Sequence, residues 1–304
     1  MKKDFVRHFG LYIFLAALWV GSFWAIPLVT GPTGWMGTWF VTHTFLKLGI
    51  VFVLMAHLTI TAMSISFHRG HTHQAVKLHP ALDLAMQTFL WCVTSMSKLD
   101  WVSVHVYHHT HSDTENDPHS PKQKGLGHVF FMGAIDYSRA KSLPEVMKIR
   151  SRIPANAYER FIARNLFTGP IVLTAFLIVV FGPVYGSLLG LLNFSISPLF
   201  AVGGVNAIAH SFGYKNYDSK DESRNIGFIF FLNWIICGEL DHNNHHKYPK
   251  SPSFAHRWFE FDIGWVYIRV LKTLGFAQVK GKIPAHRSGE AHLESYQSKV
   301  ALVS

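Results

Sequence analysis

Histidine is the residue type in this chain best suited to chemistry, since it accounts for 20 of the 304 residues. Two segments, 105–109 and 242–246, repeat one pattern, a histidine followed after two residues by a pair of histidines. On a helix, residues three and four positions apart lie on one face, so each segment aims three imidazoles the same way. Imidazole binds zinc, copper, iron and nickel alike, so the pattern predicts a metal site without naming the metal.

Two further groups lie where apolar segments end. The stretch HRGHTH supplies His68 and His73, and the stretch NAIAH supplies Asn206 and His210. Asn206 and His210 share a helical face, whereas His68 and His73 are five positions apart and do not, so we expect the helix to end or bend near Gly70. The predicted ligands are nine histidines with Asn206 as a weak or water-mediated tenth: His68, His73, His105, His108, His109, His210, His242, His245 and His246. One zinc ion takes four ligands, so this set fits two metal ions.

The other histidines are interpreted differently. A single HxxHH pattern could equally be a solvated surface patch or a set of metal ligands. Two HxxHH patterns together with the two further histidine groups are poorly explained by a surface patch. His43 and His57 lie in apolar or boundary sequence and suit packing, and His71 stays an ambiguous ligand. A supporting, structural or solvated role is assigned to His79, His111, His119 and His128, and no role to His8, His256, His286 and His292. The acidic stretch DTEND, 113–117, is expected to orient ligands or its own loop.

The elements that carry these histidines are predicted to cross a membrane. The only charged side chain between His8 and Phe67 is Lys47, and there is none from Asn165 to Tyr214. These regions divide into four apolar stretches of about 20 residues, the length that crosses about 30 Å of hydrocarbon at about 1.5 Å per residue. The predicted spans are 9–28, 48–67, 166–185 and 187–208, the last two joined by a tight turn at FGPVYG, 181–186.

Charge predicts the orientation of these spans. Region 122–164 carries nine lysines and arginines against three carboxylates, so the positive-inside rule predicts that it and both termini are cytoplasmic. Two charge-free runs, 84–97 and 225–238, reach only about 21 Å as helices and are predicted to be interfacial or buried. All histidine groups then lie on the cytoplasmic side. We expect one all-α integral membrane domain over 1–304, with four transmembrane helices, a cytoplasmic helical cap at 68–163 and 211–285, and a tail at 286–304.

Composition excludes several classes of protein. Two cysteines, Cys92 and Cys237, exclude a disulfide framework and a cysteine-based zinc or iron–sulfur site. The net charge of +10 is interpreted as the mark of cytoplasmic segments rather than of nucleic-acid binding. A histidine-rich metal transporter is a remote alternative, because it requires polar or ionisable residues inside the spans, and spans 9–28 and 166–185 are uniformly apolar. A redox metal beside a membrane favours oxygen chemistry on a lipid.

These residues resemble the membrane fatty-acid desaturases, specifically the stearoyl-CoA (delta-9) desaturase-like family and its bacterial branch, from about residue 60 to 280. The HRxxxH box of that family reads HRGHTH here, its two HxxHH boxes read HVYHH and HNNHH, and its NxxxH element reads NAIAH. The stretches TENDPHSP, HSFGYKNYD and WFEFDIGWVYIRVL are also similar. The resemblance implies a bacterial inner-membrane protein whose cytoplasmic cap holds two iron ions (Fe²⁺) on the nine histidines, with Asn206 acting through a water.

The resemblance also implies the reaction. O2 and two electrons would remove two hydrogens from an unactivated fatty acyl chain and leave a cis double bond, expected at the delta-9 position. The sequence shows neither a haem-binding segment nor a GxGxxG motif, so electrons are expected from an external ferredoxin or small cytochrome with its reductase. Region 122–164 is the expected docking face, with Lys148, Arg150 and Arg152 as its testable charges. A fatty acyl hydroxylase, epoxygenase or acetylenase with the same iron site is the main alternative.

The sequence departs from the family near the thioester end of the substrate. Val106 stands where the second box commonly has arginine, and Ser103 and Val104 stand where the animal acyl-CoA enzymes have arginine and aspartate. The acyl carrier is therefore open between CoA, acyl carrier protein and a phospholipid. The candidate substrate contacts are Trp101, which is retained and also suits a core, and two cations that also suit a solvated face, Arg139 and Lys141.

Overall fold

The computed structural model describes residues 44–227 and 230–284, and within these ranges the chain is mostly helical. In chain order the helices and strands are α1 (Thr44–Ala62), a first π-helix (Met63–Thr72), β1 (Val76–Leu78), α2 (Pro80–Thr94), α3 (Lys98–His111), α4 (Pro121–Lys124), α5 (Leu126–Ala140), α6 (Pro144–Arg152), α7 (Ala157–Arg164), α8 (Thr168–Pro198), a second π-helix (Leu199–Gly204), α9 (Val205–Ala209), α10 (Phe230–Ile235), α11 (His242–Lys247), α12 (Ile263–Thr273) and β2 (Ala277–Val279). The predicted span 9–28 and tail 286–304 lie outside the described residues.

Two segments of the described ranges are long and apolar enough to cross a membrane, Phe45–Thr72 and Thr168–Ser197. The first joins α1 to the π-helix that follows it, and it contains the predicted span 48–67. Its side chains Phe45, Leu46 and Leu54 are more than half exposed, which suits a face that meets lipid. The architecture of four spans under a cytoplasmic cap stays a prediction, because length and composition identify two segments.

The second segment, α8, reverses direction part-way. Gly182 has φ 79° and ψ 168°, a conformation that is essentially restricted to glycine. Beyond it the two arms lie side by side, because a Cβ at Gly190 would be 2.5 Å from Thr174 Oγ1 and one at Gly186 would overlap the Leu177 backbone. The reversal lies within FGPVYG, as the sequence predicts, and glycine lets the two backbones approach closely.

Helix α3 carries the first HxxHH pattern, and nine of its fourteen residues are buried. It packs against the first π-helix, α6 and α7. Apolar side chains, including Val104, Tyr107 and Val146, fill the space between these elements. A buried ion pair from Lys98 Nζ to Glu159 Oε1, 2.5 Å long, ties the start of α3 to α7. These contacts fix the position and rotation of α3 relative to its neighbours, and therefore the direction of its histidine side chains.

The described chain is mostly helical, as predicted, and also contains one small two-stranded sheet. Strands β1 and β2 pair antiparallel, with Val76 opposite Val279. Strands of three residues are too short to show an alternating pattern, so the sequence could not reveal them. The pair ties the chain after the first π-helix to the chain after α12. Of the two predicted short helices, 84–97 corresponds largely to α2, whereas the described part of 225–238 contains the six-residue α10.

Candidate metal centre

The nine histidines predicted as ligands come together in two groups. In each group the candidate ligand atoms all lie within 4.8 Å of one another, close enough to bind one ion. Cluster I consists of His68, His73, His105, His109 and His245, and cluster II consists of His108, His210, His242 and His246. The clusters adjoin, because the rings of His109 and His246 stack with their centroids 4.4 Å apart.

Helix α3 contributes to both clusters. His105 and His109 lie one turn apart, and their Nε2 atoms are 3.0 Å apart within cluster I. His108 lies beside them on the helix and joins cluster II. The Ser97 side chain fixes the start of the helix by accepting a hydrogen bond from the Asp100 N–H at 3.1 Å. The three imidazoles therefore share one side of the helix, as predicted, but they divide between two clusters.

The helix ends at Thr72, near Gly70 as predicted, but the expectation that His68 and His73 lie on different faces is wrong. The helix continues to Thr72 as a π-helix, whose hydrogen bonds join residues five apart. The His73 N–H accordingly donates to the His68 carbonyl at 3.1 Å. This wider turn brings the rings of His68 and His73 onto one face, with centroids 5.1 Å apart. The spacing of five, which a regular α-helix would splay apart, is thus the spacing that a π-helix aligns.

The HNNHH segment forms α11, a helix so short that it needs support from its neighbours. The Asn225 side-chain oxygen accepts hydrogen bonds from the backbone N–H groups of Asn243, at 2.9 Å, and Asn244, at 3.2 Å. These are donors that the first turn of a helix leaves without partners. The Asn244 amide donates to the Phe254 carbonyl and the Glu260 carboxylate, both at 2.8 Å. The asparagines between the histidines therefore fix the orientation of α11.

Four of the nine histidines donate their Nδ1–H to a carboxylate. The pairs are His68–Glu239, His108–Asp117, His210–Asp113 and His246–Asp221, with N–O distances of 2.8 to 2.9 Å. Such a bond fixes the tautomer and turns the Nε2 lone pair toward the cluster, an arrangement typical of metal-bound histidine. Asp113 and Asp117 belong to DTEND, which orients candidate ligands as predicted. Glu239 and Asp221 are not among the residues predicted from the sequence. Glu239 is marked only by its place three residues before His242, and nothing in its charged loop marks Asp221.

The remaining ring nitrogens are placed as metal ligands would be. Nε2 of His108 and Nε2 of His210 are buried and have no hydrogen-bond partner among the described residues. Other Nε2 atoms face one another at 2.9 to 3.3 Å, as between His105 and His109. Two nitrogens that each bind one ion at about 2.1 Å, at right angles, lie about 3.0 Å apart. The donor set therefore fits two metal ions.

Burial favours the neutral form of six of the nine cluster imidazoles. Burial and the charge of neighbouring histidines hold the pKa of His105, His109 and His245 well below its ordinary value of 6.5. The Asp221 carboxylate raises the pKa of His246, but burial outweighs it and lowers the pKa of His246 to about 4. Only a neutral imidazole has the lone pair that a metal requires, so these rings are ready to bind without first losing a proton.

A cavity of about 50 Å³ borders both clusters. Its polar wall consists of His68, His105, His119, Asn206, Glu239, His242 and Tyr137, and its apolar wall of Ile60, Met63, Trp101, Val104 and Val205. Trp101 also stacks on His105, with centroids 4.5 Å apart and planes 16° apart, so it is both a wall residue and a support for a candidate ligand. The volume accommodates a few molecules of the size of water or dioxygen.

Arg139 and Lys141 lie outside the cavity wall. The Arg139 side chain is 68% exposed and its guanidinium lies 3.6 Å from the Asp136 carboxylate. The Lys141 ammonium lies 5.6 Å from the centroid of the Tyr137 ring. The Tyr137 hydroxyl is buried and has no hydrogen-bond partner among the described residues. The two cations therefore mark the surface end of α5, whose inner side forms part of the cavity wall.

The other described histidines lie outside both clusters. His71, the ambiguous residue of the first stretch, binds the Asp83 carboxylate through Nε2 at 2.9 Å. His57 binds the Tyr267 hydroxyl at 2.8 Å. His119 faces the cavity, and burial lowers its pKa to about 3. His8, His43, His286 and His292 lie outside the described residues.

Comparison with known proteins places these features in a family. The family described as fatty acid desaturase matches residues 45–262, a range that contains both clusters and the cavity. The chain belongs to the fatty acid desaturase family. It is accordingly an oxidoreductase that acts on fatty acyl chains, it is membrane-associated, and its histidine clusters form a metal centre.

Three relatives illustrate the range of this family. The chain is 28% identical to Delta-9 desaturase-like 4 protein of Arabidopsis thaliana over 265 residues, and the matched region covers 85% of this chain and 80% of that protein. It is 29% identical over 288 residues to Acyl-CoA C20 Delta5-desaturase of Anemone leveillei, with coverage of 91% and 84%. It is 28% identical over 290 residues to Hex-5-enoyl-[acyl-carrier protein] acetylenase of Moorena producens, with coverage of 88% and 84%.

Proposed function

We propose that this enzyme desaturates a fatty acyl chain at a two-iron centre, with O2 as co-substrate and electrons from an external donor. The observation that carries the proposal is the pair of adjoining clusters whose donors are all imidazoles. In balanced form, one CH2–CH2 segment, O2, two electrons and two protons give one cis CH=CH segment and two water molecules. The delta-9 position is proposed from the resemblance to the stearoyl-CoA-like branch, and the name of an Arabidopsis relative supports it.

One iron ion is assigned to cluster I and one to cluster II, with Asn206 acting through a water. Zinc is a poor fit, because it has no redox chemistry and takes four ligands, whereas cluster I offers five imidazoles. Iron suits imidazole and, when bound, supplies the oxygen activation that removal of hydrogen from an acyl chain requires. The role of the chain is to hold the rings: carboxylates fix the tautomers, and Trp101 packs against His105.

The apolar wall of the cavity is proposed to hold the reacting pair of methylenes. Ile60, Met63 and Val104 face the same space as the cluster histidines, so an acyl chain along them would lie within reach of both metals. Arg139 and Lys141, at the surface end of α5, are proposed to bind the polar end of the substrate. The names of two relatives, one acyl-CoA and one acyl-carrier-protein enzyme, support testing both carriers.

The electron donor, a ferredoxin or a small cytochrome with its reductase, is proposed to dock on the basic region 122–164. Helix α6 presents Lys148 and Arg152 to solvent and packs directly on α3, which carries three of the clustered histidines. Arg150 is left out of the test variant, because its Nε binds the Asp100 carboxylate at 2.8 Å and its replacement would also break that ion pair. Lys148→Glu with Arg152→Glu should slow donor-dependent turnover most at low ionic strength. Unchanged kinetics with the natural donor would refute this docking face.

The membrane topology is also a proposal. Four spans, at 9–28, 48–67, 166–185 and 187–208, would place both termini and the metal centre in the cytoplasm, within the inner membrane of a bacterium. The charge-poor face of α1 and the hairpin α8 support it, as does the basic composition of 122–164. The whole chain, 1–304, is proposed to form one domain.

Expression in a host of defined lipid composition tests the function. Gas chromatography of fatty acid methyl esters should show a new monounsaturated product that fixes the position of the double bond. His108→Ala should abolish the product, whereas His128→Ala should not, because His128 binds Asp136 outside both clusters. A hydroxylated product, or none despite bound iron and a competent donor, would contradict the proposal. An alkyne product would favour the second candidate, an acetylenase, which the Moorena relative suggests.

A further inference from the structure

Helix α12 carries an exposed apolar stripe. The helix follows His246, the last histidine of the clusters, in the sequence. Val266 and Val270 of the helix, and Leu274 at its C-cap, follow at intervals of four residues and are 38%, 52% and 64% exposed. Residues at this interval lie above one another on a helix, so they form one continuous stripe. A stripe of three aliphatic side chains at one angle differs from the single exposed hydrophobic residues that any protein surface carries.

The other sides of α12 differ from this stripe. Gly264 and Ile268 are buried against the protein. Arg269 and Lys272 are exposed, on the side of the stripe away from Tyr267. Around the helix, the order is therefore a buried side, an exposed apolar side and an exposed cationic side. This order is typical of a helix that lies in the plane of a membrane surface, with its apolar side in the acyl boundary and its cations toward headgroups and water.

A hydrogen bond joins α12 to the helix proposed to cross the membrane. The Tyr267 hydroxyl, at the edge of the stripe, binds His57 Nε2 of α1 at 2.8 Å. Leu54 and Leu58, which flank His57 on α1, are 58% and 55% exposed. Exposed apolar side chains of both helices therefore lie close in sequence to the two residues that join the helices. One bilayer would cover both, whereas a soluble partner would have to fit an apolar corner that opens onto lipid.

We propose that α12 is a membrane-surface helix, with Val266, Val270 and Leu274 immersed in the outer acyl region of the phospholipid bilayer beside α1. The inference rests on the proposed placement of α1 in the membrane, with the cytoplasmic boundary of the bilayer near Leu58, where the exposed part of α1 ends, rather than at the predicted end of the span, residue 67. It gives the helix a role at the metal centre, because Asp262 caps α12 by accepting from the Trp265 N–H at 3.0 Å and also binds Arg69 and the Phe254 N–H.

The link from α12 to the clusters runs through Phe254. The Arg69 guanidinium lies 3.9 Å above the Phe254 ring, and that ring packs on His245 with centroids 4.7 Å apart. Binding of α12 to the membrane surface would therefore fix the distance of Phe254, and of the cluster I histidine it contacts, from the acyl chains. A lipid substrate that enters from the bilayer would then meet the centre at a constant depth.

Site-directed spin labelling of the full chain in phospholipid nanodiscs tests the proposal. Nitroxides attached through Val270→Cys and Leu274→Cys are compared with matched labels at Arg269→Cys and Lys272→Cys on the same helix. Power saturation should show several-fold greater accessibility to O2 than to a water-soluble nickel chelate at the first pair, and the reverse at the second. Greater accessibility to the nickel chelate at Val270→Cys, or protection from both reagents, would overturn the proposal, since it would show water or protein over the stripe.

A label at Leu54→Cys on α1 separates this inference from the placement on which it rests. If that label is accessible to O2 from lipid while the label at Val270→Cys is accessible to the nickel chelate, α12 alone is misplaced. If both labels are water-accessible, the membrane placement of α1 is wrong as well. Measurement of bound metal in each labelled protein shows that the clusters have stayed intact, and none of these readouts depends on desaturase activity.

Discussion

Asp117 is the residue whose replacement tests most sharply how the histidines are held. Its Oδ1 accepts from His108 Nδ1 and from the His119 backbone N–H, both at 2.9 Å, and its Oδ2 accepts from the Asp113 N–H at 2.8 Å. Burial alone raises the pKa of Asp117, but the His108 ring outweighs it and holds the pKa well below its ordinary value. We predict that Asp117→Asn weakens metal binding at cluster II and leaves cluster I unchanged.

The size of the effect follows from these three hydrogen bonds. Asparagine has one oxygen, so its amide can keep the bond to His108 only by turning its NH2 toward the Asp113 N–H. A buried donor left unpaired in this way costs about 1–3 kcal/mol of stability. Loss of the negative charge also makes the His108 ring a weaker base. Changes to carboxylates that hold metal-bound histidines lower metal affinity about 10- to 100-fold, or about 1.4–2.8 kcal/mol.

Competition with a chelator measures this effect. Bound iron per chain is determined as the chelator concentration rises, for the wild type and for Asp117→Asn. One of the two ions should be removed from the variant at a chelator concentration about 10- to 100-fold lower than from the wild type. The other should be removed at the same concentration as in the wild type. Asp83→Asn is the matched control, because Asp83 makes the same kind of bond to His71, which lies outside both clusters.

Equal iron retention in Asp117→Asn and the wild type would refute the assignment of His108 as a ligand held by its carboxylate. Equal losses in Asp117→Asn and Asp83→Asn would show that such changes disturb the fold rather than the orientation of one ring. Loss of both ions together in Asp117→Asn would contradict the division into two clusters.

Two further predictions concern stability. Glu159→Gln keeps the bond to the Asn156 N–H but removes the charge paired with buried Lys98, so we expect a loss of about 3 kcal/mol at pH 7. Burial alone raises the pKa of Glu159, but Lys98 outweighs it and holds the pKa below 4.5. The difference in melting temperature between Glu159→Gln and the wild type should therefore shrink as the pH falls below about 4.5. A difference that stays constant with pH would contradict this. Gly186→Ala should cost about 1–3 kcal/mol by overpacking the hairpin, whereas Gly49→Ala, with no atom within 4 Å of its Cβ, should not; equal melting of the two variants would count against the hairpin.

Sequence analysis found the candidate ligands because their spacing is a local property. The HxxHH pattern and the run NAIAH place side chains on a helical face whatever the rest of the fold does. The nine histidines therefore appear together in the structure. Their division into two clusters could not be predicted, since it depends on the rotation of α3 relative to α11. Contacts with Asn225 and Glu260, far apart in the chain, fix that rotation for α11.

The first π-helix and the sheet were beyond sequence reasoning for a different reason. A π-helix has no characteristic composition, so the interval from His68 to His73 indicates a break when regular α-helix is assumed. Asp221 reaches His246 only because of the path of its loop, and no pattern in the sequence marks it. The turn at Gly182 was predictable, because glycine and proline side by side within an apolar run mark a reversal.

Anomalous X-ray scattering from the iron-loaded protein tests the central claim most directly. Data at the iron absorption edge should show two peaks, one within reach of His105 and His109 in cluster I and one within reach of His108 and His210 in cluster II. Both peaks should disappear in data collected just below the iron edge. A single peak, a peak away from the clusters or a signal at the zinc edge alone would contradict the two-iron centre on which the proposed desaturation depends.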